Sequence, residues 1–129
     1  MKELVVVAVG GALGAVSRYV VYVLAGLLLG TSFPYGTLIV NIVGSFVMGV
    51  LVEGMALAWT IPEQARLFLI VGILGAFTTF STFSLDVAVL YERGRLDLTA
   101  FYIVTSVVFS VSALFAGLYV VRHVLVPAP

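Results

Sequence analysis

Five hydroxyl side chains and two phenylalanines are crowded into residues 78–84, within an otherwise apolar stretch. Hydrocarbon does not tolerate such a cluster unless it faces protein or water. Hydroxyls donate hydrogen bonds and the edge of an aromatic ring is positive, so both suit an anion. The segment indicates a permeation or transport site, with aromatic core packing as the alternative for the two rings. Its members are Thr78, Thr79, Phe80, Ser81, Thr82, Phe83 and Ser84.

The glycine, threonine and serine content of residues 72–84 also predicts a break in the helix near Gly75–Thr79. The carbonyl groups that end the first half of a broken helix attract a cation. The N–H groups that begin the second half attract an anion. One break can therefore build a structural cation site beside an anion path.

The second apolar stretch carries an isolated amide side chain, Asn41. Thr37 and Ser45 precede and follow it by four residues, so the three lie on one helix face. Such a face packs two helices through an interhelical hydrogen bond, or it lines a polar pathway. The polar residues of the neighbouring helices favour the pathway.

The fourth apolar stretch carries Tyr102, Ser106 and Ser110 at four-residue intervals. A single membrane serine usually bonds back to its own helix. Three hydroxyls in register instead form a plausible track of donors. Thr105 and Ser112 lie off this stripe and are assigned to packing.

Charged residues are few, and only Arg18 lies well inside a predicted span. It has either a structural role or an anion-attracting role in a vestibule. Glu53, Arg66 and Asp86 lie near predicted span ends and are read as interfacial. No nucleophile, base and orienting group occur together, so we predict that the protein is not an enzyme.

The elements that position these residues are membrane spans. Of 129 residues, 63% are hydrophobic and 9% are charged, and the mean hydropathy is +1.27. This composition is typical of an integral membrane protein. The absence of cysteine excludes disulfides and thiolate metal sites, and a formal net charge of zero with no basic run argues against a nucleic-acid partner.

We predict an all-α fold with one domain over residues 1–129. Its four transmembrane helices span about 4–29, 37–59, 65–91 and 98–121, the third is broken mid-membrane, and residues 124–129 form a disordered tail. One membrane side then carries Lys2, Arg66 and Arg122, and the other carries Arg93 and Arg95. This near balance leaves open either dual insertion with antiparallel pairing or a single orientation.

Three motifs, Gly-Gly-Ala-Leu-Gly-Ala-Val-Ser-Arg-Tyr at 10–19, Gly-Thr-Leu-Ile-Val-Asn-Ile-Val-Gly-Ser-Phe at 36–46 and Gly-Ala-Phe-Thr-Thr-Phe-Ser-Thr-Phe-Ser at 75–84, carry a family resemblance. The chain resembles the Fluc/CrcB family of fluoride channels. The resemblance implies an antiparallel, dual-topology homodimer in a prokaryotic inner (plasma) membrane. It also implies two pores that conduct fluoride passively, each built from both subunits.

By position, Asn41, Phe80 and Phe83 match the family's pore residues. Gly75 and Thr78 match positions whose backbone carbonyls hold a structural sodium ion on the dimer two-fold axis. Arg18 stays a vestibule or structural candidate. The full set of predicted fluoride-pathway residues is Thr37, Asn41, Phe80, Ser81, Thr82, Phe83, Tyr102, Ser106 and Ser110.

Two other functions fit a four-span chain. A small drug–proton antiporter needs a membrane-embedded carboxylate, normally in the first span, where this sequence has Arg18 instead. Asp86 is the nearest substitute. The second rival is a subunit that assembles with a transporter without conducting.

Overall fold

A computed structural model describes residues 1–125 of the chain, and the part it describes is helical. Long helices α1 (Lys2–Leu29), α2 (Tyr35–Leu57) and α6 (Leu96–Leu125) flank an interrupted third span, Glu63–Glu92. All four are long and apolar enough to cross a membrane. The predicted four-helix plan is therefore confirmed.

The third span consists of several segments. Helix α3 (Glu63–Arg66) continues into a π-helical segment (Leu67–Leu74) and a short helix, α4 (Gly75–Phe77). The backbone of Thr78 is then extended, with φ −83° and ψ 161°. Helix α5 (Ser81–Glu92) begins three residues later. The predicted interruption is confirmed, and residues 78–80 form it.

Glycines let the helix backbones approach closely. Gly10 of α1 lies against the backbone of Phe68 and Gly72, and Gly14 lies against the carbonyl group of Ile73. Gly49 of α2 and Gly117 of α6 lie against the facing helix in the same way. Small residues at such crossings are typical of membrane helices, which gain little from hydrophobic association.

The span ends differ from the prediction by a few residues. The second helix ends at Leu57 instead of residue 59, and the ring of Trp59 covers Gly54. The fourth helix extends through Leu125, so residues 124 and 125, predicted as tail, are helical. Residues 126–129 of the predicted tail lie outside the described part.

Most large apolar side chains are exposed, as lipid-facing residues are. The buried interior is small and partly aromatic, with Val40 and Tyr102 fully buried. Phe33, Phe83, Leu90 and Tyr102 form one core cluster near the α1–α2 connection.

A polar groove at the helix break

The side chain of Asn41 bridges the interruption of the third span. Its Nδ2 donates to the carbonyl oxygen of Thr79 at 2.9 Å, and its Oδ1 accepts from the Thr79 N–H at 2.8 Å. Both main-chain groups of Thr79, which no helix satisfies, are thus paired with one amide side chain. Asn41 acts as a clamp on the break.

The side chain of Thr79 organises the start of α5. Its Oγ1 accepts from the N–H of Thr82 at 3.1 Å, as an N-cap residue does. It also lies 3.2 Å from the Thr82 hydroxyl and 3.3 Å from that of Ser81. The hydroxyl cluster predicted from sequence is therefore partly a capping network.

The break releases several carbonyl groups, and those of Gly75 and Thr78 are two of them. In a continuous helix the Gly75 carbonyl would accept from the N–H of Thr79, and the Thr78 carbonyl from that of Thr82. Those N–H groups bond the side chains of Asn41 and Thr79 instead. The carbonyl oxygens of Gly75 and Thr78 are left available to another ligand.

An open groove with a volume of about 490 Å³ runs beside the break. It lies between α2, the break and α6, and its polar lining includes Ser45 and Thr79. The hydroxyl oxygens of Ser106 and Ser110 are buried and have no hydrogen-bond partner among residues 1–125. Seven predicted site residues line it: Asn41, Gly75, Thr78, Phe80, Phe83, Ser106 and Ser110.

The two predicted aromatic residues lie side by side where α5 begins. Their ring centroids are 5.4 Å apart. Phe83 is 8% exposed and belongs to the core, whereas Phe80 is 77% exposed. Only Phe83 is therefore packed within a single chain, and Phe80 is available to a surface outside it.

A second cavity, of about 350 Å³, lies nearer the α1–α2 connection and is lined by two more of the predicted pathway residues. Thr37, Thr82 and Asp86 line it. The carboxylate oxygen Oδ2 of Asp86 accepts from the hydroxyls of Thr37 at 2.6 Å and Tyr102 at 3.0 Å. The predicted donor stripe of α6 therefore divides: Ser106 and Ser110 face the groove, while the Tyr102 hydroxyl binds Asp86.

Three residues named in the sequence analysis lie outside the linings of the groove and the second cavity. Arg18 is half-buried in α1 and makes no hydrogen bond or ion pair with another residue of the described part. Ser81 is exposed beside Thr79. Ser112 is exposed and away from the groove lining, as its position off the stripe predicts.

The sequence analysis missed an ion pair between a buried carboxylate and an exposed arginine. Glu53 is 8% exposed, and its Oε1 lies 2.5 Å from Nε of Arg122, which joins α2 to the end of α6. Glu53 lies near the end of α2, as predicted, and its carboxylate is enclosed by helix packing. Opposite charges at the same end of two helices were the available signal.

A sequence profile described as "CrcB-like protein, Camphor Resistance (CrcB)" matches residues 5–118. The chain belongs to the CrcB family. The resemblance noted from its motifs is thereby confirmed. With four helices able to span a membrane, this CrcB chain is a multi-pass membrane protein.

Relatives cover nearly the whole chain. The "Fluoride-specific ion channel FluC" of Agrobacterium fabrum is 54% identical over 123 residues, 95% of this chain and 98% of the relative. The protein of the same name from Chelativorans sp. is 50% identical over 97% of this chain and its own full length. That of Nitrobacter winogradskyi is 52% identical over 90% and 92% of the two chains. All three are named as ion channels, in agreement with the prediction of a non-enzymatic protein.

Proposed function

We propose that this CrcB protein is a fluoride-selective channel that lets fluoride leave the cytoplasm passively down its electrochemical gradient. The observation that carries the proposal is the groove at the helix break, where buried serine hydroxyls have no hydrogen-bond partner within residues 1–125. Unpaired buried donors are costly unless something binds them. Fluoride, the ion named for the relatives, is an anion that accepts hydrogen bonds from such donors.

Fluoride is small and strongly hydrated, so a pore must replace its lost water with donors. The Ser106 and Ser110 hydroxyls and the second N–H of the Asn41 amide supply them. The edges of Phe80 and Phe83 add a weaker positive field. Neutral donors bind an anion without trapping it, as rapid conduction requires.

An antiparallel homodimer with two pores accounts for the open groove. In one chain the groove lacks a wall, and the adjacent Phe80 is 77% exposed. A polar groove facing lipid is unfavourable, so a second copy that covers it stabilises both chains. The near balance of basic residues at the two membrane ends supports insertion in both orientations.

A sodium ion on the two-fold axis fits the released carbonyl oxygens of Gly75 and Thr78. Two chains would offer four such oxygens, and neutral oxygen ligands suit a hard monovalent cation. Both residues line the open side of the break. The ion would supply a positive charge that offsets the burial of the carbonyl dipoles at the dimer centre.

The proposed location is the inner (plasma) membrane of a prokaryote. Four apolar spans provide the means of insertion. A passive pore in that membrane releases fluoride from the cytoplasm whenever the gradient points outward.

Fluoride efflux from liposomes that contain only the purified protein tests the function. We expect efflux that follows the fluoride gradient and does not depend on a proton gradient. Fluxes that require a proton gradient would favour the antiporter, for which Asp86 is the candidate carboxylate. Absence of flux from folded protein would favour the assembly subunit.

A further inference from the structure

The groove and the second cavity share no lining residue, and a row of neighbouring aromatic rings connects their linings. Phe83 lines the groove, and its ring centroid lies 5.3 Å from that of Tyr102. Tyr102 is fully buried, and its ring centroid also lies 5.4 Å from that of Phe33. Phe33 in turn lines the second cavity. The three rings thus form a continuous apolar wall between two polar spaces.

Phe33 is unusual because a connecting segment supplies it. It lies between α1 and α2, yet it is only 9% exposed. Its ring meets Tyr102 at an interplanar angle of 86°, an edge-to-face contact, and also lies 4.9 Å from Tyr35. The connection is therefore anchored in the helix interior through one side chain.

Polar groups stand on each side of this wall. The unpaired hydroxyls of Ser106 and Ser110 face the groove. On the other side, Thr37, Thr82 and Asp86 line the second cavity. Thr37 lies one helical turn before Asn41 on α2. An apolar constriction between two polar sites excludes water and forces an ion into direct contact with protein groups.

We infer that Phe33 is a permeation-controlling residue, which with Phe83 and Tyr102 forms the dry constriction between the groove and the second cavity. The inference rests on the proposed channel function. In a dry constriction little water accompanies the ion, so the protein groups discriminate strongly between anions that differ in size and hydration. A constriction that admits water would pass larger anions with part of their hydration shell, and discrimination would fall.

Three variants test this role in liposomes, with fluoride and chloride efflux measured separately. Phe33→Ser opens and wets the wall, and we expect chloride efflux to rise about tenfold. Phe33→Leu keeps the apolar bulk, and we expect fluoride-to-chloride selectivity within about threefold of the parent. Phe101→Ser is the control. The ring centroid of Phe101 lies 5.9 Å from that of Phe33, but Phe101 is 57% exposed and lines neither cavity. It should conduct like the parent.

A thiol variant keeps the inference testable if Phe33→Ser does not fold. The chain has no cysteine, so Phe33→Cys provides a single thiol of apolar character. We expect a small, negatively charged, water-soluble thiol reagent to reach it from the second cavity and to block fluoride efflux. A thiol that stays unreactive in the folded protein, or reacts without changing efflux, would show that Phe33 is only a core residue.

The outcomes separate this inference from the function on which it rests. If the parent protein passes no fluoride, the channel proposal fails first. If the parent conducts and Phe33→Ser conducts with the parent's selectivity, the channel proposal stands and the role of Phe33 is wrong.

Discussion

At the scale of single residues, Asn41 links the shape of the break to its chemistry. Two hydrogen bonds to Thr79 occupy its carbonyl oxygen and one N–H, which leaves one N–H for the groove. Thr79 in turn caps the helix that carries Phe83. A change at Asn41 therefore alters both a donor and the positions of the groups beside it.

Asn41→Asp should abolish fluoride flux while leaving the protein folded. The carboxylate has the shape of the amide but would face the Thr79 carbonyl without a donor, a loss of about 1–3 kcal/mol at the break. It would also repel an anion in the groove. Efflux from liposomes measures the first effect, and size-exclusion chromatography checks the fold.

Ser112→Ala serves as the matched control, since Ser112 is exposed and away from the groove. It should keep the parent's flux. An Asn41→Asp variant that conducts at the parent's rate would remove Asn41 from the pathway.

The phenylalanine pair offers a comparison between two burial states. Phe80→Ile and Phe83→Ile should each slow fluoride efflux strongly, because bulk is roughly kept and the ring edge is lost. Phe83→Ile should also lower the thermal midpoint, since Phe83 is 8% exposed within its own chain. If both variants conduct like the parent, the two phenylalanines have only a packing role, and the anion path would then follow the α6 hydroxyls alone.

Sequence pattern predicted the members of this site better than their bonds. The four-residue spacing of Thr37, Asn41 and Ser45 predicts one shared face, and all three do face the third span or its groove. Their partners were not predictable, because the main chain of Thr79 is free only where the helix breaks. The hydrogen bond from Tyr102 to Asp86 was not predictable either, because it depends on how α5 and α6 pack.

At the scale of elements, the π-helical segment reconciles two different spacings. Gly10 and Gly14 are four residues apart on α1, as suits one face of an α-helix. Their backbone partners, Phe68 and Ile73, are five residues apart, which is one hydrogen-bonded turn of a π-helix. The third span therefore holds one residue more than an α-helix would need between these contacts.

Adjacent glycines of α1 provide a matched test of this packing. Gly10→Ala should destabilise the protein by about 1–3 kcal/mol, because its methyl group would meet the backbone of the π-helical segment. Gly11→Ala meets nothing within 4 Å and should stabilise the helix by about 0.5–1 kcal/mol. Thermal unfolding in detergent measures both. Equal effects at the two positions would contradict the close approach.

Deletion of Val71 should be tolerated if the π-helical segment stores a surplus residue. Val71 is 52% exposed, and its removal would place Phe68 and Ile73 four residues apart, so an α-helix could keep both glycine contacts. Deletion of Val43, 46% exposed in the regular helix α2, should abolish folding or flux by shifting Gly49 out of register. Equal loss in both deletions would show that no residue is spare.

Hydropathy and glycine content were sufficient to predict the four spans and the interruption of the third. They could not predict the π-helical segment, because its apolar residues have no polar face whose period could be read. The Glu53–Arg122 pair was also missed, since burial of a charge depends on which helices become neighbours. Local sequence signals predicted the helices, whereas the π-helical segment and the ion pair depend on how the helices pack.

At the scale of the whole molecule, charge is distributed almost evenly between the two ends. Met1, Lys2 and Gln64 line one pocket, whereas Arg93 lines a cavity with the α1–α2 connection at the other end. At each end one arginine has a carboxylate partner: Arg122 pairs with Glu53, and Arg95 pairs with Asp97. The bias of three basic residues against two does not fix an orientation by the positive-inside rule.

Equal insertion in both orientations predicts that a C-terminal tag is reachable from both sides of the membrane in roughly equal amounts. Thr60→Lys/Gln64→Lys should bias insertion one way and lower flux, since antiparallel partners become scarce. Glu92→Lys/Leu96→Lys should bias it the other way, because these residues lie at the opposite end. Co-expression of the two double variants should then restore flux by supplying matched partners. A parent tag labelled from one side only, or double variants that conduct fully when expressed alone, would rule out the antiparallel dimer.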